Sequence, residues 1–181
     1  MKRYNKQGFT IVELIIAMAV MAIGIVGAVA TQATAKRNSV DAGQRSVAMF
    51  MAHDILERMR LNKNQLESYE GADYGTAAFS VESNQDCSIE SRCSSAQLVV
   101  YDTIQWHWML KKGQTNSESK TVALLNPTGC IDHSNGLVTV VVSWLSREAT
   151  LDAANSGSDF EKACGDASDK RRQVTFSAHI Y

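Results

Sequence analysis

The chain has 181 residues, which allows one modest domain in addition to a membrane anchor. Its formal charge is −1, but three of the 18 basic residues lie in the first eight positions, leaving 15 basic and 19 acidic residues. This acidic balance excludes a generally basic nucleic-acid-binding protein, and we expect no nucleic acid among its partners.

An apolar run dominates the N-terminal part of the chain. It extends from Phe9 to Ala30, and only Thr10 and Glu13 interrupt it with polar side chains. A helix of this length measures about 33 Å, enough to cross a hydrocarbon core of about 30 Å. Because a carboxylate inside such a run is costly in lipid, Glu13 indicates a function.

The residues allow three interpretations of this run. A secretory signal peptide would be cut after it, where Ala28-Val29-Ala30 offers small residues. A plain single-pass anchor explains the length but leaves Glu13 unexplained. The third interpretation takes in the residues around the start of the run, which are basic residues, a glycine, an aromatic residue and a carboxylate, namely Lys2, Arg3, Lys6, Gly8, Phe9 and Glu13. This pattern resembles that of a type IV prepilin, which is cut before the run, here between Gly8 and Phe9.

The helix is predicted to continue beyond the apolar run, from about Phe9 to about Leu61. No proline interrupts it, and apolar residues recur at intervals of three and four, which places them on one face. They are Val40, Val47, Met51, Ile55 and Met59, flanked by Ala48, Ala52 and Leu56. We therefore divide the chain into a leader (1–8), a membrane half of the helix (9–30), an amphipathic half (31–62) and a globular α+β domain (63–181).

Two segments of different character follow the long helix. Residues 65–91 are acidic and glycine-containing, and they predict a loop-rich connector with a short strand near residues 78–81. A second helix is predicted from a capping box at Ser94 and Gln97 to Lys111-Lys112, with Gly113 ending it. Its apolar stripe is expected to face the core and consists of Leu98, Tyr101, Ile104 and Trp108.

The C-terminal third predicts strands. A first strand over 121–125 is expected to stop at Asn126-Pro127, and Ser134-Asn135-Gly136 is a hairpin signal. The strongest strand pattern covers 137–145. At the C-terminus, Val174, Phe176, Ala178 and Ile180 alternate with polar residues in a half-buried strand, and the basic cluster 170–172 predicts a solvated strand edge. The predicted fold is α+β, with the long helix packed on a small antiparallel sheet and one extra helix.

All four cysteines follow the apolar run, which is consistent with two disulfides in an oxidising compartment. Of the three possible pairings we favour Cys87–Cys93, which closes a short loop, and Cys130–Cys164, which ties distant segments. No tightly spaced cysteine pair indicates zinc. The adjacent residues 132–134 cannot form a catalytic relay, and the histidines have no ligand spacing. We expect no catalytic site, metal, cofactor or small-molecule substrate.

These residues resemble the type IV pilins. Residues 8–27 resemble all type IV pilins and the pseudopilins of type II secretion. Several later segments resemble minor pilins of the PilV kind. They are the spine from Ser39 to Arg60, the helix that begins at Cys93, the strand 140–144 and the ending with Cys164-Gly165 and Arg171-Arg172. Many major pilins have a proline near the position of Ala30. Its absence here favours a minor subunit over a bulk shaft subunit.

The resemblance implies a pathway for the protein. A prepilin peptidase would cut after Gly8 and methylate Phe9, and Glu13 would face the N-terminus of a neighbouring subunit. The protein would sit in the bacterial inner membrane, and the modest charge bias keeps its N-terminus cytoplasmic and its domain periplasmic. It would then join the pilus as a non-catalytic minor subunit, with other pilins and the inner-membrane assembly platform as partners, and act in assembly, adhesion or twitching motility. The alternatives are a minor pseudopilin of type II secretion and a single-pass membrane sensor or enzyme.

Overall fold

A computed structural model describes residues 8, 10–80, 86–87, 92–112 and 124–181. The chain divides into two units, Met1–Val40 and Asp41–Tyr181. The described elements, in chain order, are helix α1 (Ile11–Leu61), a 3-10 helix (Lys63–Tyr69), strand β1 (Gly71–Tyr74), helix α2 (Ser95–Lys112), strands β2 (Leu125–Ser134) and β3 (Leu137–Leu145), helix α3 (Asp159–Ala163) and strand β4 (Arg171–His179).

The second unit is built on an antiparallel sheet in the order β1-β2-β3-β4. One face of the sheet shares a hydrophobic core with α2 and the C-terminal part of α1; its large buried side chains include Ile55, Met59, Trp106, Val140 and Trp144. The predicted fold class, a long helix on a small antiparallel sheet with an additional helix, is confirmed.

The amphipathic stripe of α1 is confirmed, and so is the end of the helix at Leu61. Its buried apolar residues recur at intervals of three and four, as a helix packed on one side requires. They are Ala48, Met51, Ala52, Ile55, Leu56 and Met59, with Val47 partly buried beside them. Phe9, the predicted start of the helix, lies outside the described residues.

The predicted ends of α2 are close to the observed ones, but the predicted core face is wrong. Ser94 and Gln97 form the expected capping box, because each side-chain oxygen accepts from the other residue's main-chain N–H, at 2.9 and 3.3 Å. The buried stripe, however, is displaced by one or two residues from the predicted one and consists of Val99, Asp102, Thr103, Trp106, His107 and Leu110. Trp108 is 40% exposed. Apolar periodicity does not predict this stripe, because three of its residues, Asp102, Thr103 and His107, are polar.

Close approach of α2 to the sheet depends on Gly129 in β2. A Cβ atom at Gly129 would lie 2.5 Å from Cη2 of Trp106 and 2.8 Å from Cδ1 of Leu110. Any side chain at this position would therefore force α2 away from β2. The indole Nε1 of Trp106 donates to the main-chain oxygen of Met51 at 2.9 Å, so the same ring also fastens α2 to α1.

Two predictions between the long helix and the hairpin are wrong. The connector contains the 3-10 helix and β1, and residues 78–80 are not a strand. Strand β2 does not stop at Asn126-Pro127 but begins just before it, and its pairing with β3 shifts register between Leu125 and Thr128. The irregularity accommodates the proline, which cannot donate to a regular ladder. Residues 121–123 lie outside the described residues.

The remaining strand predictions are confirmed. Strand β3 has the predicted bounds, and a two-residue turn at Asn135 and Gly136, with φ of 51° and 78°, joins it to β2. In β4, Val174, Phe176 and Ala178 face the main core, as does Ile180 just after it.

Two disulfides are present among the described residues. Cys87 is bonded to Cys93 beside the start of α2, and Cys130 to Cys164 on the sheet face opposite the main core. The second bond packs with Val141 and Phe160 in a small separate cluster. The bond between Cys130 and Cys164 therefore holds the polar segment that contains α3 against the sheet.

Candidate assembly site

The predicted processing site lies at the beginning of the described chain. Gly8 is exposed, and a Cβ atom placed on it would meet nothing within 4 Å. Phe9 and the basic leader residues lie outside the described residues, so cleavage after Gly8 and methylation of Phe9 stay predictions.

Helix α1 is capped immediately after this position. The main-chain oxygen of Thr10 accepts from the N–H groups of Glu13 and Leu14, at 3.1 and 3.2 Å, and Thr10 Oγ1 also accepts from Glu13 N at 3.3 Å. A threonine that accepts from the third helical N–H is a typical N-cap. Thr10 therefore starts the helix two residues after Gly8 and fixes the backbone of Glu13 in the first turn.

Glu13 is the acidic residue of the first turn of α1, where the positive end of the helix dipole favours a carboxylate. The residue is exposed. Its carboxylate has no hydrogen-bond or ionic partner within the described part of the chain. This negative charge is therefore available to a group from outside that part.

The residues after Glu13 present an uncovered apolar surface. Every large apolar side chain from Ile11 to Val29 is more than half exposed, Ile25 being the least exposed of them at 57%. Such a surface needs lipid or other protein to cover it. Among the described helices, α1 is the one long and apolar enough to cross a membrane, judged by length and composition.

A partly buried ionic network secures the C-terminal part of α1 within its domain. Arg58 pairs with Asp54 one turn earlier, Nε to Oδ2 at 2.7 Å, and with Asp102 on α2, Nη1 to Oδ1 at 3.0 Å. The hydroxyl of Tyr69 donates to Oδ2 of Asp102 at 2.8 Å. Burial, together with the neighbouring Asp102, raises the pKa of Tyr69 well above its usual value. The network joins α1, the 3-10 helix and α2.

The prediction that the cluster 170–172 forms a solvated strand edge is wrong for Arg171, which is 3% exposed. Its guanidinium donates to both carboxylate oxygens of Asp152 and to the main-chain oxygens of Lys162, Cys164 and Gly165. The hydrogen bond from Arg171 is the main cause that lowers the pKa of Asp152, and the main-chain N–H groups of Ala154 and Ser168 add to it. No local pattern in the sequence indicates the pairing of Arg171 with Asp152, because the two residues are 19 positions apart.

Two histidines of the described chain take part in local structural contacts. His133 Nδ1 lies 3.9 Å from Glu70 Oε1, and its Nε2 accepts from Gly136 N at 3.2 Å, which places it in the hairpin. His107 Nδ1 accepts from Gly75 N at 3.0 Å, and burial followed by the charge of Lys111 lowers the pKa of His107. In the described ranges, no group of three or more histidine, cysteine, aspartate or glutamate side chains is placed to hold a metal ion.

Comparisons with known proteins match the two parts of the N-terminal region. Residues 3–29 match the family described as the prokaryotic N-terminal methylation motif, and residues 30–104 match the family described as type IV pilin Tt1218. The two matches adjoin, covering the processing motif, helix α1 and the connector as far as α2. Searches of curated proteins and of solved structures found no match.

Proposed function

Because the chain belongs to the type IV pilin family, we propose that it is a minor pilin of the PilV kind. It is a structural subunit without catalytic activity that takes part in initiating the pilus and in its surface functions, such as adhesion or twitching motility. Prepilin peptidase cuts it after Gly8 and methylates Phe9. Its other partners are the major and minor pilins and the inner-membrane assembly platform.

The uncovered apolar surface of α1 is the observation that supports this proposal most. Large apolar side chains are exposed all round the helix between Ile11 and Val29, and one carboxylate, Glu13, lies at its start. Lipid covers such a surface while the subunit waits in the inner membrane, and neighbouring helices cover it in a fibre. A helix built for lipid alone has no use for the carboxylate.

Glu13 sets the register between neighbouring subunits. Cleavage after Gly8 creates a positive amine on Phe9, which in a staggered array of helices lies beside Glu13 of the next subunit. Opposite charges at about 4 Å attract by roughly 4 kcal/mol at an effective dielectric of 20, and desolvation offsets much of this gain. The pair therefore selects one register more than it adds affinity.

The domain that follows α1 is suited to export. Its two disulfides require an oxidising compartment, which is the periplasm when the N-terminus stays cytoplasmic. The network of Arg58, Asp102 and Tyr69 fixes α1 to the rest of the domain. Force or contact at the domain is thereby transmitted to the helix that enters the fibre.

Substitution of Glu13 tests the proposal in the natural host. We expect the Glu13→Ala protein to be inserted and cleaved as usual but depleted from sheared pili. The matched control is Glu57→Ala, which removes an exposed carboxylate from the same helix in the domain. Normal incorporation of cleaved Glu13→Ala protein would rule out the register role.

Deletion of the gene separates the pilus role from the two alternatives. A minor pilin is required for normal piliation or twitching, and its loss leaves protein secretion intact. Loss of secreted enzymes with normal pili would instead identify a minor pseudopilin. Turnover by the purified protein, abolished by a point substitution, would identify a membrane-anchored enzyme.

A further inference from the structure

Helix α2 has a second apolar stripe, which is directed away from the core. It consists of Tyr101, Ile104 and Trp108, whose spacing of three and four residues places them on one side of the helix. Trp106 and Leu110 follow Ile104 and Trp108 by two residues, about 200° round the helix, and both are fully buried. Helix α2 therefore has one face in the core and a second apolar face outside it.

The outer stripe of α2 is more apolar than its buried stripe. Half of the buried residues are polar, and distant groups satisfy two of them: Asp102 accepts from Arg58, and His107 accepts from Gly75. In the outer stripe, Trp108 is 40% exposed, and Tyr101 and Ile104 are half-buried. Neighbouring apolar side chains that keep accessible surface on one helix face mark an interaction site.

Two lysines at the end of α2 give this outer face a positive charge. Lys111 Nζ lies 5.1 Å from the centre of the Trp108 ring, and Lys112 is exposed beside it. Among the residues that the structure describes, no carboxylate forms an ion pair with either lysine. The one acid of α2, Asp102, belongs to the buried stripe. The outer face thus combines aromatic and aliphatic side chains with two cations.

We propose that this face of α2 docks in an apolar groove of a partner protein, and that the groove has an acidic rim next to Lys111 and Lys112. Side chains at positions i, i+3 and i+7 are the anchors of a helix that lies in a groove, and Tyr101, Ile104 and Trp108 occupy these positions. The charges orient α2, because its C-terminal end meets the acidic side of the groove. From residue 98 to residue 112 the face is about 20 Å long, which sets the length of the groove.

Charge complementarity favours a different protein over a second copy of this chain. The mainly apolar cavity beside Trp144, of about 430 Å³, has Arg45 and Arg172 in its lining. Docking of α2 there would place cations against cations, which is unfavourable. The cavity beside the 3-10 helix contains Glu67, but most of its lining is polar. We therefore assign the groove to another protein.

The surroundings of α2 also favour a protein groove over an anionic lipid surface. The 3-10 helix and β1 both pack against α2 and carry the exposed acids Glu67, Glu70 and Asp73. A flat anionic bilayer that reached α2 would repel these carboxylates. A groove, in contrast, covers the outer face of α2 and leaves the acids in water.

Photo-crosslinking in the natural host tests the proposal. The photoreactive residue p-benzoylphenylalanine replaces Trp108 or, as the matched control, Tyr181, an aromatic residue that is 91% exposed at the end of the sheet. We expect irradiation to join position 108 to one other protein that position 181 does not reach. Peptide mapping of this adduct should find the crosslink in an apolar segment flanked by aspartate or glutamate.

The remaining outcomes of this experiment contradict the proposal. Adducts of position 108 with lipid would assign the face to a membrane, and adducts with a second copy would assign it to self-association. A crosslinked segment flanked by lysine or arginine would exclude the acidic rim. The same adducts from both positions, or none from position 108, would show that α2 has no specific partner.

Charge reversal tests the acidic rim, with the photoreactive residue kept at position 108. We expect Lys111→Glu combined with Lys112→Glu to lower the yield of the protein adduct at least about fivefold. The matched control combines Lys162→Glu with Lys170→Glu, two exposed lysines outside α2, and should leave the yield unchanged. Equal yields from the two double variants would overturn the proposal. Adducts are measured in whole cells and fibre incorporation in sheared pili, so this proposal and the proposed function fail separately.

Discussion

Arg171 donates to both carboxylate oxygens of Asp152, from Nε to Oδ1 at 2.7 Å and from Nη2 to Oδ2 at 2.9 Å. From Nη1 it also donates to the main-chain oxygens of Lys162 and Gly165, both at 2.9 Å. One buried cation thereby ties the long polar segment between β3 and β4 to the start of β4. Arg171 therefore acts as a structural clamp and does not provide a surface charge.

Substitution of Asp152 tests this clamp. We expect Asp152→Asn to lower the free energy of unfolding by about 2 kcal/mol, because the buried guanidinium loses its charged acceptor. Denaturant unfolding of the purified protein measures the change. The control is Asp159→Asn, an exposed acid on α3, which should change stability by less than about 0.5 kcal/mol. Equal losses of stability in the two variants would show that the pair of Asp152 and Arg171 does not stabilise the fold.

The same pair predicts a dependence of stability on pH. The folded-state pKa of Asp152 lies below its ordinary value, mainly because Arg171 donates to the carboxylate. A depressed folded pKa stabilises the protein above the unfolded pKa, and this stability is lost as the pH falls through the folded pKa. We expect the free energy of unfolding to fall below about pH 4, and to fall less steeply in Asp152→Asn. Parallel profiles for the two proteins would contradict the assignment.

The network around Asp102 gives a prediction with an internal control. Asp102 is 4% exposed and accepts from both Arg58 and Tyr69, whereas the side chain of Asp54, the other partner of Arg58, is 24% exposed. We expect Asp102→Ala to cost about 3 kcal/mol, because it leaves the hydroxyl proton of Tyr69 and part of the Arg58 guanidinium without an acceptor. Asp54→Ala should cost less than about 1 kcal/mol. Thermal or denaturant unfolding that reversed this order would refute the assignment.

The disulfide pairing is also open to direct measurement. We expect non-reducing peptide mapping of periplasmic material to recover Cys87–Cys93 and Cys130–Cys164. Replacing Cys130 and Cys164 together by alanine should cost about 3 kcal/mol, and the short Cys87–Cys93 loop should contribute less, because stabilisation grows with loop length. Crossed pairs, or four free thiols, would show the predicted pairing to be wrong.

Local patterns predicted the elements whose causes are local. The stripe of α1, the Asn135-Gly136 turn, the β-branched run of β3 and the alternation in β4 each follow from residues close together in the sequence. The capping box at Ser94 also located the start of α2. In all of these, the period of the pattern or the chemistry of the turn is sufficient to specify the structure.

Elements that depend on distant partners were not predictable in this way. Asp102 and His107 lie in the buried stripe of α2 because Arg58, Tyr69 and Gly75 satisfy them there. Apolar periodicity therefore predicts the wrong core face for α2. The predicted residues, which lie off the buried stripe, are Leu98, Tyr101, Ile104 and Trp108. Arg171 was misassigned for the same reason, since Asp152 is 19 positions away. Glu13 is exposed and its proposed partner belongs to another subunit, so nothing in the sequence near Glu13 identifies that partner.

The intact mass of this protein, recovered from sheared pili, shows whether it is a processed subunit of the fibre. A processed minor pilin in the fibre must begin at methylated Phe9, so intact-mass and N-terminal peptide measurements should find that terminus in the fibre fraction. Both disulfides should be intact in the same molecules. Chains that retain Met1, chains that begin after Ala30, or absence of the protein from fibres of the wild-type host would contradict the account.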